Sequence, residues 1–326
     1  MISFKSLAAA AALSCVATLA QAQTQVLGVA TNPQGSLYYS VGAAVAQVMQ
    51  QKADLTARVQ PMSGSSAYAP LLERGQVEFG LLNALDVVNA FNGVDNFKDH
   101  KHPSLRLVGV MFALPIGMAV PNNSPAKSIK DLKGLRVPSQ FTAQGTIRSV
   151  QDACLATGGL STADLPQFPV PDYVKGMMAL GEGKVDAALF GLGTGAAQEV
   201  NVNLASRGGL RFVSLPDTPE AMTAMRKVFS SAYSSVFQPS PGNVGIITPT
   251  RLMVYSAFLV TSAHVSDDVI YKTTKALFTN KEMLAAASAT LKSFDPTMMT
   301  EKSEVPFHPG AEKFYKEVGV WPPKQR

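Results

Sequence analysis

The sequence predicts an α/β fold of two similarly built lobes, and three observations predict it. Short strand-like runs alternate with stretches of helical apolar spacing from the N-terminal third onwards. One segment has an echo 108 residues downstream: Leu72-Glu73-Arg74-Gly75-Gln76-Val77-Glu78-Phe79-Gly80-Leu81 resembles Leu180-Gly181-Glu182-Gly183-Lys184-Val185-Asp186-Ala187-Ala188-Leu189. Both read as a helix end, a glycine cap, then an acid and a buried strand. Finally, two long apolar runs, 105–120 and 252–261, are placed to carry the chain from one lobe to the other and back.

The elements follow in order. Residues 25–30 read as a short strand, and Thr31-Asn32-Pro33-Gln34-Gly35 as a turn. Residues 36–51 form a helix, with Val41, Ala44, Val45, Val48 and Met49 at core-facing spacing. A second strand is expected over 55–60, a Gly/Ser turn over 62–66, a helix over 67–74 stopped by Gly75, and a third strand over 77–82. This order predicts layers around a mostly parallel sheet. Between lobes, 105–112 and 116–120 read as two strands joined at Leu114-Pro115, because proline fits a crossover better than a central strand. Residues 267–278 are helical, with Val269, Tyr271, Thr274 and Leu277 on one face.

The N-terminus reads as an export signal. Lys5 precedes an apolar stretch, Leu7 to Leu19, which ends in Ala20-Gln21-Ala22, so cleavage is expected before Gln23. That stretch is shorter than the ~20 residues a membrane-spanning helix needs. The remaining chain keeps one cysteine, Cys154, and so allows no internal disulfide. A net charge of +5 is spread along the chain without a basic, aromatic-interleaved patch, which argues against nucleic acid.

Three turns deliver small polar residues to helix starts: Gly35-Ser36, Ser63-Gly64-Ser65-Ser66 and Gln144-Gly145-Thr146. Unsatisfied N–H groups and the dipole at such starts accept carboxylate or phosphate oxygens, although serine and threonine also cap helices with no ligand involved. Tyr38 or Tyr39 could close over a ligand, one of the pair facing the core instead. Arg148 is a candidate carboxylate clamp or an exposed helix residue. No enzyme is expected. Asp99-His100-Lys101-His102 lacks companions at metal-ligand spacing and reads as a solvated loop before Pro103. Cys154 falls on an apolar helical stripe with Ile147 and Val150. No metal or cofactor is expected either.

Near the C-terminus, Val305-Pro306-Phe307-His308-Pro309-Gly310-Ala311 is followed by Phe314-Tyr315-Lys316-Glu317-Val318-Gly319. With Gly35-Ser36-Leu37-Tyr38-Tyr39-Ser40-Val41-Gly42, Ser63-Gly64-Ser65 and Ser128-Ile129-Lys130-Asp131-Leu132-Lys133-Gly134-Leu135-Arg136-Val137, this ordered set resembles the TAXI family of solute receptors for TRAP (tripartite ATP-independent periplasmic) transporters. The resemblance implies a type II periplasmic-binding fold in the periplasm, with a signal peptide at 1–22, lobe 1 at 23–117 plus 258–326, and lobe 2 at 118–257. It implies the small and large (or fused) TRAP membrane subunits as partners and a carboxylate such as glutamate or 2-oxoglutarate as the solute. An ABC importer, a sensor kinase or an exported enzyme are the alternatives. By position, the cleft would be lined by Gly35, Ser36, Tyr39, Ser63, Gly64, Ser65, Ser66 and Asn83 from one lobe. Gln144, Gly145, Thr146, Gly193 and Thr194 would come from the other, with Arg148 beside them. The sequence departs from the family's pattern at Ser63, Tyr68 and Gln144. The terminal Pro306–Ala311 stretch reads as a dock for the last helix, with His308 as a structural histidine.

Overall fold

The computed structural model describes residues 26–324, so the expected signal segment and its cleavage before Gln23 lie outside the described residues. The first strand, β1 (Leu27–Thr31), is buried along its whole length. Ser36 then caps α1 (Leu37–Lys52) by accepting from the Tyr39 N–H, and Val41, Ala44, Val45, Val48 and Met49 turn inward as their spacing requires. The chain returns through β2 (Ala57–Pro61), α2 (Ser65–Glu73) and β3 (Phe79–Asn83). Helix α2 starts two residues earlier than its apolar pattern suggested, directly after Gly64. It settles on β3 because Gly80 leaves room for Leu72 and Tyr68, which a side chain there would meet at 2.8 and 3.4 Å. Helix α3 (Ala84–Asn92) follows β3 without a linker.

The two long apolar runs are the spine of the molecule. Strand β4 (Leu105–Pro121) is continuous, not two strands broken at Pro115. Up to Leu114 one edge of β4 pairs with no strand and bonds to loops instead, as where Leu107 N–H donates to the Pro306 carbonyl and the Leu107 carbonyl accepts from His308 N–H. From Ile116 that edge pairs with β7 (Ala188–Gly191). Pro115 stands at the changeover, where a missing N–H costs no ladder bond on that side, and its carbonyl still accepts from Leu192. The return strand β10 (Thr250–Ser262) runs antiparallel to β4 over most of its length.

Between these two crossings lies the second half of the fold: β5 (Val137–Gln140), α4 (Thr146–Ala156), β6 (Gln167–Val170), α5 (Tyr173–Gly181), β7, α6 (Gly195–Asn203), β8 (Leu210–Phe212), α7 (Pro219–Val228) and β9 (Tyr233–Phe237). The main sheet has the order β2-β1-β3-β10-β4-β7, with β8 beside β4 and β9 beside β10, while β5 and β6 pair separately. The expectation of a mostly parallel sheet is therefore corrected. Among the strand pairs of the described residues only β1–β2, β1–β3 and β5–β6 are parallel, because both crossing strands bring antiparallel partners with them. The echo noted in the sequence recurs in space. Gly75 follows α2 and Gly183 follows α5, both with left-handed backbone (φ 64° and 72°), and each leads into a strand that pairs antiparallel with a crossing strand, β3 with β10 and β7 with β4.

The chain closes with α8 (Asp267–Thr279), α9 (Lys281–Ala287) and α10 (Pro309–Glu317). His308 caps α10: its Nδ1 accepts from the Gly310 N–H at 3.2 Å and its Nε2 donates to the Val265 carbonyl at 2.9 Å. The terminal motif thus docks the last helix onto α8, where a Cβ at Gly310 would stand 2.3 Å from the Asp267 carbonyl. Cys154 is fully buried on α4 and burial pushes its thiol up to about 12, which fits a small core residue.

Candidate functional site

The ends of β1 and β3 and the starts of α1, α2 and α3 face the starts of α4 and α5 across the spine. Here the two sides meet at glycines. The Ala196 N–H donates to the Gly35 carbonyl at 3.3 Å. A Cβ at Gly64 would fall 2.1 Å from Gln144 Cγ and 2.4 Å from the Ala143 carbonyl oxygen, and one at Gly145 would fall 2.6 Å from Asn96 Cβ. Asn96 in turn donates to the Ser66 hydroxyl at 3.0 Å. Behind this rim lies a cavity of about 20 Å³, roughly the space of one water. Its polar lining is Asn32, Tyr38, Ser65, Asn83, Asp86, Gln144, Tyr173 and Tyr255, and Leu114, Ile116 and Ile147 form its apolar wall.

Each polar group is held by local structure. Asn83 caps α3: its Oδ1 accepts from the Asp86 N–H, and its Nδ2 donates to Asp86 Oδ2, both at 2.7 Å. That pair fixes the Asp86 carboxyl and leaves Oδ1 towards the cavity, near the Ser65 hydroxyl but without a partner in hydrogen-bond geometry. Gln144 Oε1 accepts from the Tyr173 N–H at 2.8 Å, so its amide nitrogen is turned the other way and is unpartnered. Tyr173 accepts from the Gly191 N–H, tying the start of α5 to the end of β7. Tyr38 packs edge-on against Phe112 at 5.6 Å, and its hydroxyl has no partner. Burial pushes the Asp86 carboxyl up to about 7; the Ser65 hydroxyl and the Asn83 amide oppose that shift, and Asp95 adds to it. Burial likewise raises the Tyr38 and Tyr255 hydroxyls well above the usual tyrosine range, with Asp86 adding to both. Among the described residues, no Lys, Arg or His lines the cavity.

The residues singled out in the sequence do not all meet in one place. Ser65, Asn83 and Gln144 line the cavity, and the buried, unpartnered Thr146 hydroxyl sits beside Gln144 in the chain. Gly35, Gly64, Ser66 and Gly145 form the rim where the two sides touch. Ser36 and Thr194 are helix caps, accepting from Tyr39 at 3.2 Å and Ala197 at 3.0 Å, so their hydroxyls are already engaged. Ser63 and Gly193 are exposed. Tyr38, not Tyr39, is the tyrosine that faces the cavity, because Tyr38 shares the inward face of α1 with Val41 and Val45. Arg148 points outward, with a half-exposed side chain 3.7 Å from Asp152 one turn on, and it is no part of this lining. His100 is exposed as expected, but His102 is buried edge-on against Phe97 at 5.6 Å. Among the described residues no group of His, Cys, Asp or Glu is placed to hold a metal.

Of the polar lining residues, Asn32, read only as part of a turn, and Asp86, Tyr173 and Tyr255 were missed. Asp86 reads in the sequence as an ordinary first-turn acid favoured by the helix dipole, although Asn83-Ala84-Leu85-Asp86 has capping-box spacing that could have drawn attention to it. Tyr173 and Tyr255 come from elements far apart in the chain and read as core.

Two α/β halves joined by two continuous strands, with a polar cavity between them, define the type II periplasmic-binding fold. The structure resembles PhnD1 from Prochlorococcus marinus, solved in complex with methylphosphonate: TM-score 0.55 at 11% identity, covering 91% of this chain and all of that one. It also resembles a binding protein component of an ABC phosphonate transporter from Pseudomonas aeruginosa: TM-score 0.51 at 10% identity, covering 82% of this chain and 79% of that one. Residues 29–319 match the model of the NMT1-like family, and the chain belongs to that family.

Proposed function

We propose that this protein is a periplasmic solute-binding receptor, not an enzyme, that holds one small polar molecule between lobes at 23–117 plus 258–326 and 118–257 and releases it to a membrane importer. One observation carries this reading. Tyr38 Oη, Asp86 Oδ1 and Gln144 Nε2 belong to side chains from three separate parts of the chain that line one cavity, and each is buried without a partner in hydrogen-bond geometry. An unsatisfied buried polar group costs roughly 1–3 kcal/mol, a cost that a bound solute would offset. The cavity is too small for more than a water, so the reading requires the glycine rim to part for entry. Gln144 Nε2, Ser65 and Thr146 are the donors available to an acceptor group of the solute, whether the carboxylate expected from the sequence or another oxyanion.

An ABC importer is the partner put first, since the Pseudomonas aeruginosa protein is a component of such a system. TRAP subunits are the second reading, favoured by the ordered motifs that end in His308-Pro309-Gly310-Ala311. Native mass spectrometry of the protein purified from the periplasm should find a bound small molecule. Adding that molecule back to stripped protein at a hundred times its dissociation constant should stabilise the fold by about 2.7 kcal/mol. A chain that carries nothing and is shifted by no solute overturns the reading. Co-purification with a permease and its ATPase, or with TRAP subunits, separates the two importers.

A further inference from the structure

The acid in the cavity limits what the solute can be. Asp86 is 5% exposed, Gln144 2% and Tyr38 7%, so all three free atoms belong to side chains buried by nine-tenths or more. Their hydrogen-bonding capacities differ. The Gln144 amide nitrogen can only donate. The Tyr38 hydroxyl can do either. Asp86 Oδ1, when ionised, can only accept. The elements packed around Asp86 offer it no cation: α1 contributes Tyr38, α2 contributes Ser65 and Tyr68, β3 contributes Asn83, and β10 contributes Tyr255. A charged group beyond them that bears on it is another acid, Asp95. A sulfonate, a fully ionised phosphonate or an ionised dicarboxylate presents acceptors alone, and would offer Oδ1 no donor beyond the nearby Ser65 hydroxyl while bringing a like charge towards it.

We propose that Asp86 is the specificity-determining residue of this cavity and that it receives an N–H or ammonium group, so the solute is a nitrogen compound and not a bare oxyanion. This rests on the reading of the cavity as the solute site. Asn83 positions the carboxyl, holding Oδ2 at 2.7 Å so that Oδ1 meets the ligand. Because burial holds the carboxyl near 7, its charged, accepting form is gained as pH rises through that value. Affinity for a nitrogen donor should therefore increase between pH 5.5 and 8. A solute oxyanion taken by protonated Asp86 would show the opposite slope.

The test compares the full chain with Asp86→Asn, which keeps shape and removes the accepting charge. Three sets of probes are titrated by calorimetry at both pH values: methylphosphonate, alkanesulfonates and dicarboxylates; amino acids, small amines and amidines; and neutral sugars. The expected result is binding from the nitrogen set, tightening towards pH 8. The variant should bind at least ~10-fold more weakly, in line with the ~1.5–3 kcal/mol of a hydrogen bond to a charged group, and its affinity should be nearly pH-independent. Its melting temperature, measured alongside, should match or exceed that of the parent, since a buried charge has been removed. A nitrogen-free oxyanion or sugar that binds the parent, and binds the variant as well or better, overturns the proposal and leaves the receptor reading standing. Failure of every probe and of the co-purified material to bind the parent overturns the receptor reading, and this proposal with it.

Discussion

His308 shows how one side chain can link the end of the chain to acidity. Its ring is almost fully buried, accepts at Nδ1 and donates at Nε2, so only the neutral tautomer with hydrogen on Nε2 satisfies both partners. Burial lowers its pKa; the Val265 carbonyl and Asp267, 3.6 Å away, pull the other way, and Arg106 adds to the lowering. The folded state therefore binds this proton less readily than the unfolded chain does, and stability falls as pH drops below the ordinary histidine value of about 6.5. Thermal unfolding between pH 7.5 and 5 should show that loss in an Asp86→Asn background, since Asp86, held near 7, shifts stability in the opposite direction over the same range. His308→Gln should cost about 1–3 kcal/mol at pH 7.5 and should flatten the slope. An unchanged slope in the variant would place the pH response elsewhere, His102 being the other histidine whose burial lowers its pKa. The sequence showed this residue well, because a cap inside a Pro-Phe-His-Pro-Gly arrangement has a local signature. It showed Asp86 poorly, because the residues that give that acid its meaning, Tyr38 and Tyr255 among them, are brought to it only by the tertiary fold.

At the level of elements, the helix starts carry the contacts between the two halves. The turns before α1, α2 and α4 were all visible as Gly/Ser/Thr clusters, and all three lie at the interface of the halves. Which of their residues bind and which merely cap was not visible, since a serine that caps and a serine that binds look alike in the chain. Ser36 and Thr194 turned out to be engaged by their own helices, and Ser65 faces the cavity. The strand at Pro115 was misjudged for a related reason. A proline argues against a central strand, but whether its missing N–H matters depends on what lies along each edge, which is settled by pairing with β7. The rim makes its own prediction. Gly64→Ala places a methyl group where Gln144 Cγ and the Ala143 carbonyl now lie, so the halves cannot approach as closely. Solute affinity should fall by ~10-fold or more, taking the overpacking cost of about 1–3 kcal/mol as the penalty on closure. The melting temperature without solute should change little. Gly242→Ala, where an added Cβ meets nothing within 4 Å, serves as the control. Equal affinities for the two variants would show that the rim does not need to meet for binding.

For the molecule as a whole, composition and the alternation of elements were enough to reveal a two-part α/β protein, because burial periodicity is local. The mixed sheet was not legible, because antiparallel pairing follows from where the two crossing strands lie and not from their own residues. Those strands have a mechanical consequence. A molecule whose parts are joined by loops can swing freely. Here the joint is β4 and β10, hydrogen-bonded to each other across the junction and interrupted by register shifts after Ala257 and Leu259. Any opening must be a shallow twist of a paired ribbon, with the shifts in register as its compliant points. Hydrogen exchange should therefore divide the chain by function. Amides of Val108–Val110 and Val254–Ser256 should stay protected with or without solute, while those at 33–36, 63–66 and 143–146 should slow when it binds. The paired strands would then act as a torsion spring, setting the angle to which the empty protein relaxes and so, on the function proposed above, the interval in which a solute can leave.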